Sequence, residues 1–350
     1  MTVSARGEPL LLELLDGFLQ TKVLITAYQL DLFTMVARAP RSPAELRAAL
    51  GWPERSTTIL VDACVALGLL ELEGEALRVP DELAPFLVRT PDRPFRTTTY
   101  LLDYYAEVYR ALDDMAELVR SDGASSSFGL RDYFKDDVAQ VEAEVAREYS
   151  RYMDQTIAPI AKVVLETYDF GQHRSLLDLC GGTGTFCAAI VEATPGLRGA
   201  FLDVPACVEL GRQQLAQRPA VAGRITPIAG DAFTTPLPEG LDVVTICRAA
   251  MDWGDERIEP LYRRVRQALP PGGRLVVVER MLPDRPCPEA RSLYLRSVYF
   301  LAKSRSTRYR TPAGHVALLQ RAGFSSVEVR EPPRAPYAVF QSMKVVVARA

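Results

Sequence analysis

The segment LLDLCGGTGTF, opening at Leu176, constrains the fold of this chain more than any other stretch. An apolar run, Ser175 to Cys180, ends in a glycine cluster, Gly181, Gly182 and Gly184, and a helical pattern follows to Ala193. A second apolar run, GAFLDV, ends in an acid, Asp203, and a third strand-like run ends in Gly230-Asp231-Ala232-Phe233. Strand, glycine turn, helix and acid-tipped strand make the first half of a nucleotide-binding, doubly wound α/β sheet. The glycines let backbone approach a ligand, and the acid at the next strand tip can accept ribose hydroxyls.

The missing third glycine narrows the nucleotide. A dinucleotide fingerprint needs Gly or Ala three positions beyond its second glycine. Counted from Gly182 and Gly184 that position is Cys187, and a frame starting at Gly181 puts Thr183 second. Neither frame fits, which disfavours a pyrophosphate cofactor and favours an adenosyl ligand without phosphate. Asp203 would then hold the ribose, while Asp231 and Phe233 would flank the adenine. The bland alternative is that the two acids merely start loops.

The bulk numbers exclude several classes. The 350 residues suit two or three domains, and 48% hydrophobic with 24% charged residues reads as an ordinary soluble globular chain. A net charge of −3 provides no bulk attraction to nucleic acid or anionic membrane. The N-terminal apolar stretch is broken by Glu13 and Asp16 and follows no basic segment, so it does not read as a signal peptide. No uninterrupted apolar run reaches membrane-spanning length. The six cysteines form no CxxC pair and fall mostly in apolar patterns, as core thiols of a reducing cytoplasm would. With only His173 and His315 available, a histidine-based metal site is not expected.

Three regions follow along the chain: 1–94, 95–170 and 171–350. In the first, Leu10, Leu11, Leu12, Leu14 and Leu15 cover more than one helical face, which in a small lobe calls for a partner subunit. Ser42-Pro43-Ala44-Glu45 reads as a capping box with proline at the first helical position. A second helix from Glu54 to near Gly68, then Leu69–Glu73 and Ala76–Val79 around Gly74, complete a helix-turn-helix with a wing. Between Gly51 and Pro80 the acids Glu54, Asp62, Glu71, Glu73 and Glu75 outnumber Arg55 and Arg78, the wrong balance for meeting phosphates. Dimerisation is the better use of this lobe. The region 95–170 reads as largely helical, broken at the serine-rich stretch 121–127, with Tyr100, Tyr104, Tyr105 and Tyr109 near helical spacing as core packing or substrate wall. Further strands are expected at Asp242–Cys247, Arg274–Arg280, Ser325–Arg330 and Val339–Ala348.

These strings together resemble the S-adenosylmethionine-dependent O-methyltransferases of plant phenylpropanoid and bacterial antibiotic pathways. The resemblance runs through nearly the whole chain: the winged lobe, DLCGGTG, FLDVP, GDAF, MDWGDE, LPPGGRLVVVERML and LLQRAGF. It implies a Rossmann-like class I methyltransferase domain behind a mainly helical winged-helix dimerisation domain. It also implies S-adenosyl-L-methionine as cofactor, a homodimer and a small-molecule substrate. By position, the implied cofactor contacts are Gly181, Asp203, Asp231, Phe233 and Arg248. Tyr149 and Met153 resemble the aromatic-xxx-Met pair that lines the family's pocket.

The departures are as informative. In the family a histidine that deprotonates the acceptor precedes the Asp-Trp pair, whereas this chain has Met251 before Asp252-Trp253. A thioether takes no proton at neutral pH. Of the two glutamates that steady that histidine, one matches Glu279, and the other falls on Tyr309 when aligned back from Ala322-Gly323-Phe324. General-base help is typically worth about 10²–10⁴-fold, whereas orientation of two bound reactants supplies about 7–11 kcal/mol. Methyl transfer therefore remains feasible where the acceptor brings its own nucleophile, an acidic phenol, an amine, or an enol or electron-rich carbon. Met251 would line the pocket as an apolar wall, with Tyr309 beside it; Asp252 and Glu279 are candidate alternative bases, although Asp252 could instead cap the following loop. Arg131, Arg291, Arg296, Arg305, Arg308 and Arg310 read as surface, with one of them available for a substrate carboxylate. His173 and His315 read as surface or helix packing.

The reading is thus methyl transfer to a small, aromatic secondary metabolite in the cytoplasm, without metal, nucleic acid or membrane. Two alternatives stay open. One is a repurposed relative that keeps the cofactor and catalyses decarboxylation, hydroxylation or rearrangement. The other is a ligand-sensing winged-helix regulator, against which the acidic recognition region argues.

Overall fold

The computed structural model describes residues 7–89, 97–123, 143–334 and 342–350. Arg131, residues 124–127 of the serine-rich stretch and residues 339–341 of the expected last strand lie outside the described residues. The chain divides into two compact units, 1–106 and 107–350.

The first unit is mainly helical, with α1 (Gly7–Gln29), α2 (Leu32–Arg38), α3 (Pro43–Leu50), α4 (Glu54–Ala66), the short strands β1 (Glu71–Glu73) and β2 (Ala76–Arg78), and α5 (Ala84–Leu87). The capping box forms as expected: the Glu45 amide donates to the Ser42 hydroxyl, and the Ser42 amide donates to the Glu45 carboxylate. The wing is shorter than its apolar pattern, pairing only Glu71–Glu73 with Ala76–Arg78, because Gly74 at φ 63° closes a tight turn. Arg78 is ion-paired with Glu71, Glu73 and Asp81, so acids of the lobe itself occupy this wing cation. Leu32, Phe33, Leu46, Val61, Cys64 and Leu77 build the core. The first half of α1 does not join it: Leu10, Leu11, Leu12, Leu14, Leu15, Phe18 and Leu19 are each at least half exposed in the single chain.

Helix α6 (Thr97–Ala111) spans the division, and α7 (Met115–Ser121) and α8 (Ala143–Thr167) follow. The second unit is then built on β3 (Ser175–Leu179), α9 (Thr185–Ala193), β4 (Arg198–Asp203), α10 (Pro205–Ala216), α11 (Pro219–Ala222), β5 (Ile225–Ala229) and β6 (Val243–Cys247). It continues through α12 (Asp255–Ala268), β7 (Arg274–Arg280), α13 (Arg291–Val298), α14 (Phe300–Lys303), α15 (Pro312–Arg321), β8 (Ser326–Arg330) and β9 (Met343–Arg349).

The seven strands are ordered β5-β4-β3-β6-β7-β9-β8. All pairs are parallel except those of β9, which runs antiparallel to both β7 and β8. Strands buried on both faces read as continuous apolar runs, and β6 is buried along its whole length. One face packs Ile160, Val164, Phe186, Ile190 and Val208 from α8, α9 and α10, and the other packs Ile258, Leu261, Tyr262, Val265 and Leu318 from α12 and α15. Chain order reverses at β3, which pairs with β4 on one side and β6 on the other. Ligands of open parallel sheets bind beyond the strand C-termini at such a switch point, and that edge carries the glycine turn, Asp203, Asp231, Arg248 and Glu279.

Candidate active site

A cavity of about 460 Å³ opens over this edge, bounded by residues of the second unit. Its floor is the glycine turn. Cys180, Gly182 and Gly184 all take positive φ, which the turn needs in order to reverse between β3 and α9. At Gly184 a Cβ would come within 2.5 Å of the Phe201 ring, so only glycine lets α9 start against β4. A Cβ at Gly181 would sit 2.8 Å from Asp178 Oδ2, closing the floor of the cavity.

Asp203 holds the turn by its carboxylate. Oδ2 accepts from the Gly182 amide at 2.7 Å and Oδ1 from the Val204 amide at 2.7 Å. Burial pushes its pKa up, while these two amides pull it back down. Each carboxylate oxygen retains further acceptor capacity, so a ribose diol can share it. The Asp231 carboxylate caps its own loop, accepting from the Phe233 amide at 2.9 Å. The Phe233 ring meets Trp253 edge-on at 5.0 Å, and the Arg257 guanidinium lies over the Phe233 ring, 4.5 Å from its centroid. Arg248, in left-handed conformation, donates its guanidinium to the Thr156 hydroxyl and its amide to Val278 O. Tyr149 and Met153, one helical turn apart on α8, line the wall. The cofactor residues expected from sequence, and this pair, are therefore brought together at one cavity.

Three lining groups escaped the sequence reading. Asp154 accepts from the hydroxyls of Thr183 and Thr185 at 2.5 and 2.8 Å and from Gln214 Nε2 at 2.8 Å, tying α8 to the glycine turn and α10. Asp178 is buried at the cavity floor; its Oδ1 accepts from Thr245, and Oδ2 has no hydrogen-bond partner among the described residues. Burial raises its pKa to about 7. Lys303 Nζ lies 2.6 Å from Asp252 Oδ1, and both residues line the cavity. The only sequence signal for the first two was position, beside Met153 and inside DLCGG; for Lys303 there was none. An unpartnered buried carboxyl and an acid-rich floor suit a ligand carrying an ammonium and a sulfonium.

The expected catalytic wall is arranged differently. Met251, Glu279 and Tyr309 are not among the cavity-lining residues. Met251 lies on a single 3-10 turn, Ala250–Asp252, and its side chain packs against Leu293, Phe300 and Tyr309, an apolar cluster that suits a thioether better than an acid-lined cavity. Tyr309 is buried there, 4.7 Å from the Phe300 ring, with its hydroxyl 3.4 Å from Arg280 Nη1. Glu279 is 1% exposed, and neither carboxyl oxygen meets a donor in hydrogen-bond geometry. Burial first, then the nearby Asp252, push it up to about 8 against the opposing pull of Arg248. Asp252 does not cap its loop by its side chain, which takes the Lys303 ammonium instead.

Neither histidine is at the site, and neither is on the surface. His173 is buried just before β3, at the N-terminal end of the strands, with Nε2 2.7 Å from the Tyr168 hydroxyl. His315 is buried between α15 and α12, 3.5 Å from the Tyr262 hydroxyl, and desolvation holds its pKa near about 3. Arg310 also departs from the surface expectation: its buried guanidinium binds Ala250 O, Trp253 O and Asp255.

Residues 109–325 match the O-methyltransferase domain, and residues 12–85 match the O-methyltransferase dimerisation domain. The chain belongs to the O-methyltransferase family. It is 32% identical to the tetracenomycin polyketide synthesis 8-O-methyl transferase TcmO of Streptomyces glaucescens over 330 residues, covering 92% of this chain and 93% of that one. It is 29% identical to the demethylspheroidene O-methyltransferase of Cereibacter sphaeroides, covering 91% of this chain and 82% of that one. The fold matches TnmH (TM-score 0.80, 23% identity, 99% and 100% coverage) and PigF with SAH (TM-score 0.79, 24% identity, 97% and 98% coverage). This methyltransferase is therefore an S-adenosylmethionine-dependent enzyme. These matches support neither the repurposed enzyme nor the regulator.

Proposed function

We propose that this methyltransferase acts on the oxygen of an ionisable hydroxyl, a phenol or an enol, on a small aromatic secondary metabolite. The observation that carries this reading is Met251: the position where the family resemblance places a base holds a half-buried thioether packed against an apolar cluster. Glu279 is closed off from the cavity, and both histidines lie elsewhere. An acceptor that ionises by itself needs none of them.

S-adenosylmethionine supplies an activated methyl on sulfur. The chain's residues do the rest by binding and orientation. Asp203 would hold the ribose and fix the Gly182 amide. Phe233 with Trp253 would enclose the adenine beside Asp231. Gly181 leaves room above Asp178, whose carboxyl would face the ligand's cationic end, and Arg248 buttresses the wall through Thr156 on α8. Tyr149 and Met153 would press the acceptor's aromatic face and exclude water, which raises the weight of orientation in the barrier.

The family's dimerisation match and the exposed leucine face of α1 support a homodimer, since that apolar area gains from burial against a second copy. No described helix is long and apolar enough to cross a membrane.

The test is incubation with S-adenosylmethionine and a panel of hydroxylated polyketide aromatics, indoles and matched methyl-ether or aniline analogues, read by mass spectrometry. Products gaining one methyl from phenols, and none from anilines, are expected. Methylation confined to nitrogen or carbon would overturn the reading.

A further inference from the structure

Resting on that reading of the cavity, we propose that Lys303 binds the acceptor's reacting oxygen and takes it as an anion, a phenolate or enolate.

The placement of Lys303 carries this. The turn bearing Met251 is laced to the segment 303–310 at every residue. Lys303 Nζ binds Asp252 Oδ1 at 2.6 Å, and Ser306 Oγ donates to Asp252 O at 3.3 Å. The Arg308 amide donates to Met251 O at 2.9 Å, and Arg310 reaches Ala250 O and Trp253 O at 2.8 and 2.6 Å. The ammonium is therefore held in fixed relation to the position where the family resemblance places its base. It faces the cavity, as Met251 does not.

The charge count on this wall points the same way. Lys303 and Asp252 balance each other. Arg305 also lines the cavity and makes no ion pair with any described residue, so the segment 303–306 brings two cations to the cavity against the one carboxylate of Asp252, while Asp154, Asp178, Asp203 and Asp231 line it elsewhere. An ammonium has three N–H donors, so one bond to Asp252 does not preclude another to a ligand. Tyr149, Met153 and Trp253 share the cavity and lower its polarity, which strengthens a charge-assisted bond there. A cation that lowers the free energy of the acceptor's anion does by binding what a base would do by proton removal.

The chemistry balances without a protein base. The acceptor releases its proton to solvent on binding. Its oxygen lone pair forms the O–C bond as the C–S bond breaks, and sulfur keeps that electron pair, leaving S-adenosylhomocysteine. The ether product has no charge for Lys303 to hold, which favours its release.

The experiment reads ionisation rather than turnover. Alizarin and para-nitrophenol change colour on losing a phenolic proton. Each is titrated across pH against the full-length protein saturated with S-adenosylhomocysteine. The bound dye should ionise about one pH unit below the free dye, a tenfold preference for the anion. Lys303→Arg should keep the shift and Lys303→Met abolish it. Because Lys303→Met leaves the Asp252 carboxylate unmatched, the double variant Lys303→Met/Asp252→Asn is measured beside it. That variant should lose the shift yet bind S-adenosylhomocysteine in calorimetry as wild type does. A bound dye that ionises like the free one, a shift that survives in the double variant, or no saturable dye binding to wild type overturns the proposal. A shifted dye with no methyl transfer to any hydroxyl overturns the functional reading instead and leaves the anion site standing.

Discussion

Lys303 and Asp252 form an ion pair at 2.6 Å whose side chains are only 6% and 11% exposed. Removing two charges from water costs several kcal/mol per ion, and the attraction between them often does no more than offset it. Stability is thus a poor reason to keep such a pair at a cavity wall. What it presents to a ligand is a better one, and it stands one residue from the thioether where the family resemblance expects a base.

Asp203→Ala should weaken S-adenosylmethionine binding. The carboxylate both meets the ribose and fixes the Gly182 amide, and hydrogen bonds to a charged group contribute about 1.5–3 kcal/mol each. Isothermal calorimetry should show a loss of tenfold or more. Unchanged affinity would mean that the ribose lies elsewhere.

Glu279→Gln should change stability in a pH-dependent way. The folded-state value is raised, from an ordinary 4.5 to about 8. Between these values the native state holds a proton that the unfolded state has released, so this group makes stability fall as pH rises. Below the lower value the penalty is absent; above the upper one it is complete. Thermal melts of the Gln variant against wild type should show a gap in Tm that grows in the variant's favour from about pH 5 to pH 8 and then levels. A gap independent of pH would show that Glu279 ionises normally.

Leu11→Glu with Leu15→Glu should split the homodimer. Both side chains are more than half exposed in the single chain and lie on the apolar part of α1. Light scattering should move from twice the chain mass to the chain mass. A variant that stays dimeric would place the interface off this helix face.

Much of this architecture was legible in the sequence because local chemistry enforced it. Glycines with positive φ mark the turn over β3, apolar runs mark the buried parallel strands, and Ser42 with Glu45 marks a helix start. Asp203 and Asp231 could be read because each sits at or just beyond the C-terminal end of a strand, and Arg248 because the family resemblance places a cofactor contact there. Lys303 and Asp154 could not: each acquires its role from a partner far along the chain, Asp252 and Thr183 respectively, and no spacing rule encodes that. Met251 shows the limit from the other side. Its position was legible, but the direction of its side chain was decided by Phe300 and Tyr309, which only the fold brings near.

The central claim is that the acceptor is activated by its own acidity and not by a base at position 251. Turnover of Met251→Leu and Met251→His on the preferred acceptor tests it most directly. Leu preserves volume and apolarity, a swap that usually costs less than about 1.5 kcal/mol, and its rate should stay within tenfold of wild type. His should not raise turnover by more than tenfold, although general-base help is typically worth about 10²–10⁴-fold where it is needed. A hundredfold gain in Met251→His would contradict the account and identify the acceptor as an ordinary hydroxyl awaiting a base.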